Sequence, residues 1–266
     1  AKIIRSADSL TALDLSLNNL NLGLDKLVGG IIDSTSLVAV TLKNNSIDGR
    51  KFQQQLFDLV YEHPSLASLN IGNSLSVKNK NRIHNEGLSA ILQAVATSKT
   101  PSLLQELFLC NSSITAKGLS QFSLLEQSKN VFELDLDLSY NELGSETPTL
   151  IQSVIPSLIS LNLSNTKMGS RGAFALAAQL KAAHKRNKNH QLRNLDLSGN
   201  SIGASGFLKL LSRLKKSTAL TTLNLSGNDL TDSKDKFVNL EKFLGRNESC
   251  KTLLLNGCKL SGTMLA

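Results

Sequence analysis

The sequence predicts an α/β solenoid in which nine parallel strands line the concave face of a horseshoe and helices form its convex face. A repeated phrase, Leu-x-x-Leu-x-Leu-x-x-Asn-x-Leu, begins at Leu10, Leu192 and Leu220, with Ile in the last place of the second copy. Weaker copies fill the intervals between these three. Each copy also changes from a period of two to a helical period halfway along. These observations indicate stacked strand–helix units in a single domain, residues 1–266.

The copies can be laid in register along almost the whole chain. They begin near residues 10, 37, 66, 104, 133, 158, 192, 220 and 250. The underlying period is close to 28 or 29 residues, but two intervals are longer, at 38 and 34. In the fifth copy Glu133 occupies the first apolar position and Leu134 extends the alternation backwards, which predicts a longer or bulged strand there.

Each copy contains the pattern of one strand followed by one helix. The Leu-x-Leu alternation is typical of a short strand with its apolar side turned inward. In the seventh copy Phe207, Leu211 and Leu214 share one helical face, which must pack against the strands. One strand and one helix per copy, always in the same direction, predicts a parallel sheet.

The ninth position of the phrase is polar or small in every copy. A buried amide there can donate to and accept from the backbone of the turn, so its expected role is structural. Asn fills the position in five copies and a small residue fills it in four: Asn18, Asn45, Asn141, Asn200 and Asn228, then Ser74, Ser112, Thr166 and Cys258.

The repeat length, the full helix and turns such as residues 200–206 resemble the ribonuclease-inhibitor-like class of leucine-rich repeats, over residues 10–262. That resemblance implies a protein-binding module, with inhibitor behaviour as one form of it. The class also includes Ran GTPase-activating proteins, so regulation of a small GTPase is the alternative, although their acidic tail is absent here. The composition resembles that of the leucine-rich-repeat effectors that intracellular bacteria deliver into host cells. Aromatic residues make up 4% of the chain, Trp is absent, and Asn and Lys are frequent.

Composition narrows the expected location. The chain has no run of about 18 apolar residues, and residues 1–9 lack the apolar core of a signal peptide. Three cysteines, Cys110, Cys250 and Cys258, show no sign of disulfide-bonded end caps. We therefore expect a reducing, intracellular compartment, which for a secreted bacterial effector is the host cytosol.

Charge is segregated on the predicted solenoid. The net charge is +8, yet the third, fifth and seventh positions of the strands, which point to the concave face, hold five acids and one base. Such an acidic face suits a basic protein surface or a basic peptide and repels nucleic acid. We also expect a monomer. The predicted partner-binding residues combine these acids with polar and apolar neighbours: Asp14, Glu106, Phe108, Asp135, Asp137, Tyr140, Asp196, Asn224 and Leu254.

Basic residues cluster after the sixth and seventh helices. The predicted basic rim comprises Lys185, Arg186, Lys188, Arg213, Lys215 and Lys216. Cations at helix C-termini offset the helix dipole, which explains many of them; contact with an anionic membrane or an acidic partner is the alternative. The two long intervals predict loops, one at residues 77–85 with Lys78, Lys80 and Arg82 on the opposite rim, the other around residues 184–191. Recognition and a tolerated insertion both stay open for these loops.

No catalytic constellation emerges from the spacing. The four histidines, at positions 63, 84, 184 and 190, are scattered, and no metal-ligand spacing accompanies them. Asp135 and Asp137 project from the same face about 7 Å apart, but an open sheet supplies no burial to shift a pKa. We therefore predict a non-enzyme with no catalytic, cofactor or metal site.

Overall fold

The computed structural model describes residues 2–98, 103–126, 133–186, 191–215, 217–230 and 236–260, without the side chains of residues 184–186 and 236–239. The chain divides into two compact units, Ala1–Asp137 and Leu138–Ala266. Each unit is built from the strand–helix repeat that the sequence predicts.

The first unit contains strands β1 to β5, which pair in sequence order. All four pairs are parallel and keep the same register, so that Ala12, Ala39, Ser68, Glu106 and Asp135 form one row. The elements are α1 (Lys2–Arg5), β1 (Ala12–Asp14), α2 (Leu24–Ile32), β2 (Ala39–Thr41), α3 (Gln53–Tyr61), β3 (Ser68–Asn70), α4 (His84–Thr97), β4 (Glu106–Phe108), α5 (Ala116–Leu119), a 3₁₀ helix (Ser120–Leu125) and β5 (Leu134–Asp137).

The second unit contains strands β6 to β9, which also pair in sequence order. All three pairs are parallel, and Ser160, Asn194, Thr222 and Thr252 form one row. The elements are α6 (Thr147–Leu150), a 3₁₀ helix (Ile155–Ser157), β6 (Leu158–Asn162), α7 (Gly169–Arg186), β7 (Asn194–Asp196), α8 (Ala204–Leu214), β8 (Thr222–Asn224), α9 (Lys236–Leu244) and β9 (Thr252–Leu254).

The nine described strands fall in the nine predicted copies, so the α/β class with parallel strands is confirmed. In the fifth copy the strand begins at Leu134, as predicted, and has four residues, one more than β4 and one fewer than β6. It is not bulged, because its pairing with β4 runs without interruption from Asp135 to Asp137.

The core of each unit lies between the sheet and the helices. In the second repeat Leu37, Val40, Leu42 and Ile47 are all fully buried. In α8 the predicted inward face is confirmed, because Phe207, Leu211 and Leu214 are each at most 4% exposed. Burying a side chain of this size stabilises the fold by about 1.5–3 kcal/mol, and the repeat multiplies that gain.

The ninth-position amides form a ladder between neighbouring repeats. The Oδ1 atom of Asn228 accepts the backbone N–H groups of Asn200 and Ile202, at 3.1 and 2.8 Å. Its Nδ2 atom donates to the carbonyl oxygens of Leu197 and Leu225. This arrangement confirms the predicted structural role. Cys258 takes a corresponding place, since its Sγ lies 3.2 Å from the carbonyl oxygen of Leu225.

The third repeat departs from the predicted register. Ser74 is exposed, and the ladder position belongs to Asn81, whose side chain is fully buried. The Oδ1 atom of Asn81 accepts the N–H groups of Asn45 and Ile47, at 2.9 and 3.0 Å. The prediction for Ser74 is therefore wrong. Residues 74–80 are an insertion between the strand and the ladder residue, which accounts for most of the excess in the interval of 38.

The second long interval has a different cause. The spacing around residues 184–191 predicts a loop, but α7 extends from Gly169 to Arg186 and is 18 residues long. Part of the extra length is therefore helix, while residues 187–190 lie outside the described residues. The prediction of a loop beginning near His184 is wrong on this point.

Candidate interaction surface

The strand residues that flank each buried leucine form the face of the sheet turned away from the helices. In β2, β3 and β4 the central residue is buried and both neighbours are half-buried, as period-two alternation requires. The predicted assignment of positions to the two faces is thus correct. The two units carry different chemistry on this face, so each is described by itself.

In the first unit, three carboxylates and one ring occupy two adjacent strands. The parallel register places Glu106 of β4 beside Asp135 of β5, and Phe108 beside Asp137. All four side chains are half-buried. We call Glu106, Phe108, Asp135 and Asp137 the acidic cluster. Neighbouring strands lie about 4.8 Å apart, so the register brings Glu106 and Asp135 close together.

Glu106 is held in place by the preceding strand. One of its carboxylate oxygens accepts a hydrogen bond from the Ser68 hydroxyl at 2.6 Å. Ser68 is its register partner on β3. The carboxylate therefore has a defined position on the face of the sheet.

Asp14 has a different role from the acidic cluster. It lies on β1, three strands from β4, and its Oδ1 atom accepts both the N–H and the hydroxyl of Ser16, at 2.8 and 2.5 Å. The Ser16 hydroxyl, then the Ser16 N–H, and more weakly the Lys43 charge lower the pKa of Asp14, and partial burial opposes them. Asp14 thus closes the turn after its own strand.

The second unit presents mainly amides and hydroxyls on the same face. Asp196 accepts the N–H and the hydroxyl of Ser198 on one oxygen, at 2.9 and 2.7 Å. Its other oxygen accepts a hydrogen bond from the Asn224 amide at 2.8 Å. Asn224 in turn lies beside Leu254, which is 37% exposed. These three predicted residues are brought together, in a network whose acid is already hydrogen-bonded.

In several copies the aspartate or asparagine at the fifth position accepts a hydrogen bond from the backbone N–H of the seventh residue. The Oδ1 atoms of Asn162 and Asn224 accept the N–H groups of Ser164 and Ser226, both at 3.0 Å, as Asp14 and Asp196 do with their serines. Side chains of this type hydrogen-bond their own backbone two residues on. The recurrence of Asx-x-Ser in the sequence carried this signal, and sequence reasoning missed it. It gives Asp14 and Asp196 a structural role.

Tyr140 and two residues of the basic rim lie among the residues that the structure describes. Tyr140 is 40% exposed, with a left-handed backbone and an N–H bonded to the Ser164 carbonyl oxygen. Arg213 and Lys215 are half-buried at the end of α8. Lys188 and Lys216 lie outside the described residues, as do the side chains of Lys185 and Arg186. The basic rim stays a prediction.

Two properties of the described residues bear on metal binding and on cysteine chemistry. No group of three or more His, Cys, Asp or Glu side chains among them could hold a metal ion. Burial raises the pKa of the Cys250 and Cys258 thiols, which keeps both protonated. In the described part of the chain no helix is both long and apolar enough to cross a membrane.

Comparison with known proteins agrees with this geometry. A family model described as Leucine Rich repeat matches residues 154–177, 188–211 and 216–233. The ribonuclease inhibitor of Mus musculus is 28% identical over 221 residues, which cover 80% of this chain and 44% of that protein. These matches support a ribonuclease-inhibitor-like leucine-rich-repeat protein. The ribonuclease inhibitor of Sus scrofa is 29% identical over 221 residues, which cover 80% of this chain and 44% of that protein.

This leucine-rich-repeat protein spans less than half the length of the two relatives it matches. A solved structure named Leiomodin-1 Actin-Binding Site 2 is similar over 65% of this chain and 81% of its own, with 22% identity and a TM-score of 0.38. Leucine-rich-repeat proteins of this class are typically binding modules rather than catalysts.

Proposed function

We propose that this leucine-rich-repeat protein binds a partner protein through the acidic cluster of its first unit, and that the partner presents a basic surface or peptide. The observation that carries the proposal is the register of β4 and β5, which sets Glu106 beside Asp135 and Phe108 beside Asp137. A ring among carboxylates offers an apolar contact and a charge contact within one patch.

Electrostatic repulsion within the acidic cluster favours a cationic ligand. Carboxylates on adjacent strands repel one another, and they do so more strongly at a protein surface than in bulk water. A Lys or Arg side chain placed between Glu106 and Asp135 removes this repulsion and gains attraction from both. The phosphate backbone of a nucleic acid would add to the repulsion, so it is excluded from this patch.

The names of the relatives suggest one partner class to test first. Both curated relatives are named ribonuclease inhibitor. A nuclease must present a basic surface to its polyanionic substrate, which is the charge that the acidic cluster complements. Inhibition of a nuclease is therefore the specific form of the proposal. Delivery into a host cell as a bacterial effector, and regulation of a small GTPase, stay predictions.

A charge-reversal pair tests the proposal. Glu106→Lys/Asp137→Lys reverses the acidic cluster, and Glu62→Lys/Glu126→Lys makes the same change in charge at exposed helix ends of the same unit. Binding to a basic ribonuclease and to a Lys-rich peptide is measured by calorimetry, and interacting proteins are recovered from lysates. We expect the first variant to lose at least tenfold in affinity and the second to match the wild type.

Circular dichroism confirms that both variants are folded before binding is compared. Because exposed charges are screened over about 10 Å at 0.1 M salt and about 3 Å at 1 M, the wild type should also bind more weakly as salt increases. Equal recovery of the same partners by the wild type and by Glu106→Lys/Asp137→Lys would show that the acidic cluster is not the binding surface.

A further inference from the structure

The insertion at residues 74–80 is anchored to the body of the first unit. Asn73 and Asn81 join its two ends, because the Asn81 N–H donates to Asn73 Oδ1 at 2.6 Å and Asn73 Nδ2 donates to the Asn81 carbonyl oxygen at 2.8 Å. Both side chains are at least 98% buried. The insertion is thus closed at its base by two hydrogen bonds between the buried Asn73 side chain and the Asn81 backbone.

Two further contacts tie the end of the insertion to the second repeat. The Asn79 carbonyl oxygen accepts the Ser46 N–H at 3.1 Å. Arg82 forms a parallel bridge with Asp48, in which its N–H donates to the Ile47 carbonyl oxygen at 2.7 Å and its own carbonyl oxygen accepts the Gly49 N–H at 2.8 Å. The backbone on both sides of Lys80 is therefore fixed.

This backbone surrounds a depression of about 510 Å³ at the turns that follow β2, β3 and β4. Lys78, Lys80 and Arg82 line it on the side of the insertion, and Asn111 and Ser113 line it on the side of the fourth repeat. Its volume lies in the range typical of small-molecule sites, about 300–1,000 Å³. We call this depression the cationic pocket.

The charge of the cationic pocket is not neutralised within the described part of the protein. Asp48 is the one acid among its lining residues, against three cations. No ion pair involves Lys78, Lys80 or Arg82 in that part of the chain. The Oδ1 atom of Asp48 already accepts the Arg50 N–H at 2.9 Å. Because the three cations line one depression, an anion bound there gains attraction from more than one of them.

We propose that the cationic pocket binds a small ligand that carries one or more phosphate groups. Arg matches the oxygens of a phosphate with two parallel N–H donors, and Lys adds a mobile point charge. The Asn111 amide and the Ser113 hydroxyl add neutral donors on the facing side. The site lies outside the acidic cluster and has the opposite charge, so it goes beyond the proposed protein binding.

The lining favours a small anion over an acidic protein segment. Hot spots of protein interfaces centre on aromatic or other large apolar anchors, whereas the only apolar residue that lines the pocket within the described chain is Ile47, which is fully buried. A concave, polar and cationic site of this size instead suits a ligand whose phosphate oxygens take several donors at once.

Calorimetry with tripolyphosphate as the probe tests the site directly. The variant Lys78→Gln/Lys80→Gln/Arg82→Gln removes the three charges while leaving the buried amides Asn73 and Asn81 intact. The control Lys26→Gln/Lys117→Gln/Lys209→Gln removes three charges from exposed helix positions. We expect saturable binding to the wild type and to the control, with affinity at least tenfold lower in the pocket variant.

A thermal melt provides a second measurement, because a ligand that binds only the folded state raises the Tm as its concentration rises. We expect tripolyphosphate to raise the Tm of the wild type and of the control, but not of the pocket variant. Absence of saturable binding to the wild type, or equal loss of binding in both triple variants, would overturn the proposal.

Two further probes separate the sources of the phosphate group. A soluble inositol phosphate and vesicles with or without a phosphoinositide lipid are compared on the wild type. Binding of the soluble compound alone assigns a free phosphorylated ligand, and phosphoinositide-dependent binding to vesicles assigns a lipid headgroup; both support the pocket. Binding to an acidic peptide or to RNA but to neither of these probes would contradict it.

Discussion

The buried side-chain amide of Asn81 links two neighbouring repeats. Asn81 accepts two backbone N–H groups from the second repeat and donates to the carbonyl oxygens of Leu42 and Ile71, at 2.7 and 3.0 Å. Its side chain has no exposed surface. All four bonds replace water that cannot reach the site, so the amide is required by the backbone around it.

Asn81→Ala should destabilise the protein by about 3 kcal/mol, because unpaired buried donors and acceptors cost about 1–3 kcal/mol each and part of the loss is relieved by relaxation. The free energy of unfolding in urea measures the effect. Asn79→Ala is the matched control, since that side chain is exposed and within the same insertion. The assignment of Asn81 to the ladder fails if the two variants are equally stable.

At the residue scale, the protonation of His63 makes the stability of the protein depend on pH. The ring is 8% exposed, and its Nδ1 atom accepts the Ser65 N–H at 3.2 Å. Burial lowers the pKa of His63 below the ordinary value of 6.5. The unfolded chain therefore takes up a proton first as the pH falls, so stability is complete above pH 6.5 and declines from there through the folded pKa.

Replacing the ring by a neutral amide should remove this contribution. Urea unfolding of the wild type and of His63→Gln is compared at several values between about pH 7.5 and about pH 5. We expect the wild type to lose more stability over this range than the variant does. Parallel curves for the two proteins would show that His63 does not sense pH through burial.

At the scale of elements, the turn before α3 and the beginning of α4 approach each other through glycines. A Cβ atom on Gly49 would overlap the carbonyl oxygen of Ile83 and lie 2.9 Å from its Cα atom. A Cβ atom on Gly87 of α4 would lie 3.1 Å from the Cα of Gly49. The backbone at Ile83 cannot move aside easily, because the ladder residue Asn81 and the bridge at Arg82 precede it directly. The close approach of these two backbone segments therefore requires that positions 49 and 87 carry no side chain.

A pair of alanine substitutions tests this packing. Gly49→Ala should destabilise the protein by about 2 kcal/mol, as overpacking against fixed backbone does. Gly29→Ala in α2 should stabilise it by about 1 kcal/mol, since alanine favours helix and nothing lies within 4 Å of the added methyl group. The urea concentration at the midpoint of unfolding shows whether each substitution stabilises or destabilises the protein. A neutral Gly49→Ala would contradict the close approach.

At the scale of the whole molecule, charge of both signs is sorted onto separate surfaces. The net charge of +8 by itself suggests a general affinity for anions. In the first unit, however, the sheet face carries Asp14, Glu106, Asp135 and Asp137 against Lys43, while the cationic pocket lies at the turns after the strands. Net charge is therefore a poor guide to partners. The variants of the acidic cluster and of the cationic pocket should each affect only their own ligand.

Most of the fold follows from the sequence, because burial in a repeat is encoded locally. Leu134 and Leu136 alternate with Asp135 and Asp137, and this spacing is enough to place the strand, its inner face and its outer face. The side of the sheet on which the acidic cluster lies could be predicted for the same reason. The capping roles of Asp14 and Asp196 were not predicted, although the recurrence of Asx-x-Ser in the sequence carries their signal.

The sequence by itself determined the repeat, its strand register and the side of the sheet on which each acid lies, because these depend on a period that recurs every 28 or 29 residues. Only the tertiary structure decided that Asn81, and not Ser74, completes the ladder, and that Lys78, Lys80 and Arg82 line one depression. The physical reason is that hydrogen bonds between repeats select the amide that reaches the neighbouring turn. Spacing along the chain cannot make that choice once an insertion interrupts the period.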